Sequence, residues 1–95
     1  MTDTSTLTRD TLALGTAEVG FRGRIVGLQP EKAGPGLPPP ELERRLLELG
    51  FVDGAAVEIL HQGLFGRDPI AVRVADTTIA LRRREAMAIA VERER

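Results

Sequence analysis

The 95-residue chain contains no cysteine, no tryptophan and no tyrosine, with a single histidine, His61, and a single serine, Ser5. Without cysteine there is neither a disulfide framework nor a thiolate zinc site. Nucleophilic catalysis needs a nucleophile, a base and an orienting group within hydrogen-bond reach, and one serine near the start with one distant histidine does not supply them. No enzyme is expected. Aromatic residues are limited to Phe21, Phe51 and Phe65, too few for the stacking platforms of nucleic-acid grooves or the Tyr/Trp-lined grooves that read proline peptides. Thirteen basic residues balance 14 acidic ones, a formal net charge of −1, so no broad field draws the chain to phosphate backbones or anionic lipid. The longest apolar run, Ala86 to Val91, has six residues, against the roughly 20 that span a bilayer. Met1 to Ser5 lack the basic and apolar regions of a secretory signal. The expectation is a cytoplasmic protein with no nucleic-acid partner and no direct membrane insertion.

What is present reads as one small domain. Residues 1–10 are Thr/Ser/Asp-rich without apolar periodicity and are expected to form a disordered tail ahead of a domain over 11–95. Arg22 to Leu28, with Ile25 and Val26, reads as a strand. Gln29 to Pro40 holds five of the six prolines together with Gly34 and Gly36, so neither a helix nor a ladder strand runs through this connector. Pro40 suits the first turn of a helix, Glu41 and Glu43 suit its positive end, and Leu42, Leu46 and Leu49 recur at helical spacing up to a stop at Gly50. The spacing predicts a helix over about 41–49, with Glu41 and Arg45 as an i,i+4 pair.

Beyond Gly50 the period becomes two. Residues 55–60 and 70–74 read as strands joined by the turn-rich piece Gln62 to Asp68, and Ala75 to Thr77 as a second tight turn before a strand at 78–81. Arg82 to Met87 reads as a helical turn and Ala88 to Glu92 as a last strand. Short strands at this spacing favour a small curled barrel, because closure removes exposed edges.

Few residues point to chemistry. His61 could hold a divalent metal, alone or with Glu58 or Asp68, but one imidazole with carboxylates makes a weak, open site; the plainer reading is an exposed hairpin histidine. Gly63-Leu64-Phe65-Gly66 matches the GXXG of KH domains, yet here it joins two strands rather than two helices. Arg82-Arg83-Arg84 is the densest basic run, read as a solvated turn pairing with Glu85 and Glu92. Pro38-Pro39-Pro40 reads as a stiff spacer setting the helix entry.

The run Leu42-Glu43-Arg44-Arg45-Leu46-Leu47-Glu48-Leu49-Gly50-Phe51-Val52-Asp53-Gly54 resembles the FeoA family of ferrous iron transport accessory proteins. Asp68-Pro69-Ile70 and Ile79-Ala80-Leu81-Arg82-Arg83-Arg84-Glu85-Ala86 extend the likeness. The helix exit, the strand entry and the final strand-to-helix junction occur in the family's order, over about residues 12–92. Two features depart from it: the connector is longer and richer in proline, and Ala17 stands where leucine is common.

The resemblance implies a mainly β fold, a small SH3-like barrel with one or two short helices, similar also to the C-terminal domain of DtxR-type regulators. It implies a non-enzymatic protein that binds the FeoB-type ferrous iron transporter on its cytoplasmic GTPase side and modulates iron uptake. A two-turn helix with four leucines cannot easily bury all of them, so the partner contact is expected at the helix and its exit: Leu46 or Leu47 as anchor, Arg44 and Arg45 beside it, and Phe51 at the end. No tightly bound cofactor is expected. The alternative function is a metal-sensing regulatory domain that holds Fe2+ or a surrogate weakly through His61 and carboxylates such as Glu58 or Asp68, and a third reading is self-association through the barrel edges.

Overall fold

The computed structural model describes residues 11–94; the expected tail at 1–10 lies outside them. Six strands form one antiparallel sheet: β1 (Thr11–Ala13), β2 (Arg22–Leu28), β3 (Ala56–Phe65), β4 (Asp68–Val74), β5 (Thr77–Leu81) and β6 (Ile89–Arg93), in spatial order β1-β6-β2-β3-β4-β5. Two helices, α1 (Pro39–Glu48) and α2 (Arg83–Ala86), and two 3-10 turns, Leu14–Thr16 and Pro30–Lys32, complete it. The mainly β architecture with one or two short helices is as the sequence implies.

The sheet can bury only one face, and extra residues let it bend around that face. Ile25 pairs Val91 while Gly27 pairs Ala90, which leaves Val26 as a bulge in β2. In β3 the register slips between Ile59 and His61 and again between Gln62 and Phe65. Such bulges add twist and bend the strand that carries them. Val57, Ile59, Ile70, Val72, Val74, Ile25, Ile89 and Val91 then meet Leu42 and Leu46 of α1, Phe51, and Leu14 of the first 3-10 turn in one core, each at most 3% exposed.

The start and stop of α1 follow from local chemistry. Pro39 and Pro40 occupy its first turn, where a missing N–H costs nothing. At its end Gly50 adopts φ 107°, a conformation that suits glycine. The Gly50 N–H donates to the Leu47 carbonyl at 3.1 Å and the Phe51 N–H to the Leu46 carbonyl at 3.0 Å. This is the Schellman pattern, in which the residue after the glycine meets the side chain of one a turn earlier in the helix. Leu46 and Phe51, both fully buried, fit that role.

The β3–β4 hairpin departs from the sequence expectation. Gln62 to Phe65 continue β3 rather than forming a turn, and the connection shrinks to Gly66 and Arg67, with φ of 70° and 63°. Two positive values in a two-residue loop match the right-handed twist of the flanking strands. Ala75 and Asp76, at 51° and 65°, make the same kind of turn between β4 and β5, where the sequence places one. Gly63 permits the hairpin's close approach: a Cβ there would overlap the Asp68 carbonyl. The GXXG run therefore serves the strand and its turn.

Candidate functional site

On α1 the structure divides the expected contact residues into two sets. Arg44, Arg45 and Leu47 lie on the exposed side, with Leu47 44% accessible, while Leu46 and Phe51 are at 0%. Of the two leucines offered as anchor, only Leu47 can touch a partner without unfolding the core. Leu46 and Phe51 lie beneath the face as its support, because the Schellman closure and the Leu42-Leu46 stripe turn them inward. Val52, 45% exposed just past the helix, provides the apolar surface at the exit that Phe51 does not. Arg45 approaches Glu85 of α2 at 3.9 Å, a loose ion pair between an exposed arginine and a half-buried glutamate, in place of the expected pairing with Glu41.

The candidate metal ligands do not converge. His61 is exposed on β3 opposite Ala71, Glu58 sits opposite Arg73, and Asp68 lies at the hairpin tip opposite Phe65. An Asp68 carboxylate oxygen accepts the Arg83 backbone N–H at 2.8 Å, which commits it to the start of α2. Among the described residues no three His, Cys, Asp or Glu side chains are grouped to hold a metal ion. The described residues of one chain therefore do not group into a metal centre.

Arg83 is not a solvated turn residue. Its guanidinium donates to the carbonyls of Gly15 at 3.1 Å, Ala17 at 2.6 Å and Arg67 at 2.9 Å, and to the Gln62 side-chain oxygen at 2.9 Å. One side chain thus ties together the first 3-10 turn, the β3–β4 hairpin and α2. Burial and the neighbouring Arg67 lower its pKa, against Asp68 and Glu18, which raise it. An arginine keeps its charge through shifts of this kind. The planar fork suits the job, since it can serve several carbonyls at fixed angles.

Beyond this clamp the hairpin tip carries the most exposed large apolar side chains among the described residues, Leu64 at 93% and Phe65 at 88%. Sequence reasoning missed both by placing them in a turn. The available signal was the apolar pair itself, set directly before a Gly-Arg turn with no apolar partner of matching period. Glu18, Val19, Gln62 and Arg67 line a shallow groove at this end.

Residues 12–93 match the FeoA domain. The solution structure of FeoA protein from Chlorobium tepidum is similar, at 30% identity and a TM-score of 0.72, over 88% of this chain and 71% of that one. FeoA from Stenotrophomonas maltophilia complexed with zinc, described as a prokaryotic SH3 domain protein and a possible ferrous iron transport activating factor, aligns at 32% identity. Its TM-score is 0.67, over 86% of this chain and 94% of that one. A manganese-dependent transcriptional repressor shares the fold at 19% identity and a TM-score of 0.69, over 88% of this chain and 42% of the repressor. No curated protein matches the chain. A motif series that runs from the helix exit to α2, an SH3-like sheet curled over one core, and a domain match spanning nearly all the described residues agree: the chain belongs to the FeoA family.

Proposed function

We propose that this protein is a cytoplasmic, non-enzymatic accessory factor of ferrous iron uptake that binds the FeoB-type transporter on its GTPase side and modulates it by contact. The observation that carries this reading is the FeoA domain match over residues 12–93. The exposed side of α1 supports it with a surface of suitable make-up: Leu47 and Val52 as apolar points, and Arg44 and Arg45 as charged neighbours. Apolar anchors ringed by arginine are common in interface centres. In an NMR titration of the labelled protein with the purified GTPase domain of its own organism's transporter, shifts are expected on the exposed positions between residues 41 and 52. Shifts confined to other elements would move the contact off α1, and none with either the GTPase domain or the whole transporter would count against the reading.

The zinc complex of the Stenotrophomonas relative favours a second reading, a divalent-metal-sensing domain. Because the described donors of one chain do not converge, such a site would draw on two copies meeting at His61. Calorimetry with Zn2+ is expected to give only weak binding, and His61→Ala is expected to remove what there is. Tight one-to-one binding that survives His61→Ala would locate the metal elsewhere.

A further inference from the structure

We propose that the β3–β4 hairpin tip is a membrane-surface contact, in which Leu64 and Phe65 enter the headgroup boundary of an anionic bilayer while Arg67 and Arg82 meet lipid phosphates. Adjacent residues of a strand point to opposite faces, yet here both are nearly fully exposed, at 93% and 88%. β2 accompanies β3 only from Ala56 to Glu58, so the distal part of β3 projects with only β4 paired beside it. A partner that covers both side chains has to surround the tip. Lipid does so without a shaped cavity.

Size argues the same way. A stable protein interface takes about 800 Å2 from each partner, whereas a large aromatic side chain covers about 150–250 Å2. Two side chains at a tip therefore fall well short of a protein interface. They are sufficient for shallow, reversible insertion that a second attachment reinforces.

Charge is arranged along the same axis. Arg67 is in the turn itself, and Arg82 follows Leu81, which pairs Ile70 at the tip end of β4. Three carboxylates face these arginines: Asp68 accepts the Arg83 N–H and Glu85 the Arg82 N–H at 3.1 Å, which draws both to the start of α2 at the hairpin root, and Glu18 lies in the shallow groove beside Arg67. At the other end of the hairpin Asp76 forms the β4–β5 turn, and Gly50 lies against Ala75, which brings the loop bearing Asp53 to that end. The balanced net charge, which argues against general attraction to lipid, does not cancel this local polarity. The Arg83 clamp holds the hairpin root through the Arg67 carbonyl and Gln62, so the tip is presented without a prior ordering cost.

The test does not depend on the transporter reading, because the vesicles contain no protein. The full chain is mixed with phosphatidylcholine–phosphatidylglycerol vesicles and, separately, with pure phosphatidylcholine vesicles, and bound protein is separated by flotation. Binding to the anionic vesicles is expected, weaker at high salt and weaker on pure phosphatidylcholine. Leu64→Ser with Phe65→Ser is expected to lower partitioning by about tenfold or more, since each buried apolar side chain contributes heavily to transfer. Arg67→Gln with Arg82→Gln is expected to remove the salt dependence. Unchanged circular dichroism would confirm that these surface variants fold. Wild-type protein that stays in the aqueous fraction with both lipids would overturn the proposal, as would a Leu64/Phe65 variant that floats like wild type. Concentration-dependent dimerisation abolished by the same two changes, without vesicle binding, would assign the tip to a second copy instead.

Discussion

Replacing Arg83 by methionine is expected to lower the unfolding free energy by about 2–3 kcal/mol, because the part-buried carbonyls of Gly15 and Ala17 lose their donor, and a buried acceptor left unpaired costs about 1–3 kcal/mol, whereas water can replace the donor at the exposed Arg67 carbonyl. Methionine keeps most of the side-chain length and apolar packing, so the change isolates the hydrogen bonds. For a domain of this size about 1 kcal/mol corresponds to about 4–8 °C in melting temperature, so a fall on the order of 10–20 °C is expected in thermal denaturation. Arg83→Lys is expected to recover only part of it, since an ammonium cannot address three carbonyls and an amide oxygen in one plane. Equal destabilisation by Arg82→Met would contradict the assignment, because Arg82 is exposed and its side chain is expected to contribute little. Hydrogen exchange offers a second check: amides of the first 3-10 turn and of the hairpin should lose protection together if one side chain couples them.

Nothing in the sequence distinguishes Arg83 from its neighbours in Arg82-Arg83-Arg84, and the reason is physical. Its partners lie 15 to 68 positions away, so no local period or spacing reports them. The elements whose cause is local were legible: β2 at Arg22–Leu28, the proline start and glycine stop of α1, and the turn at Ala75-Asp76. The β3–β4 turn escapes local reading for a related reason. Gln62 to Asp68 has turn composition, but pairing with β4 and the space left by Gly63 carry the strand on to Phe65. Tertiary pairing overrides composition in such cases. The candidate site was legible to the level of the helix face. Whether a given leucine on it is core or contact depends on where the Schellman closure turns the chain, and Leu46 and Leu47 are neighbours in sequence with opposite fates.

That opposition gives the sharpest separation of fold from function. Leu46→Ala is expected to destabilise by about 2–5 kcal/mol, the usual range for a fully buried leucine whose site cannot collapse. Its loss would open space beneath Phe51, on the far side of the helix-terminating glycine. Leu47→Asp, by contrast, puts a charge on a side chain already 44% exposed and is expected to cost only about 1 kcal/mol, through lower helix propensity and a negative charge in the last turn of α1. If α1 is the transporter-binding face, however, the same change removes the apolar anchor, and an interface hot spot of about 2 kcal/mol corresponds to a roughly 30-fold loss of affinity. The two variants should therefore move different measurements: Leu46→Ala the melting temperature, Leu47→Asp the dissociation constant for the transporter's GTPase domain. Were Leu47→Asp to bind as tightly as wild type, the partner would have to engage another surface. Val52, 45% exposed in the loop just past α1, would be the next to test, since it can be altered without touching the helix.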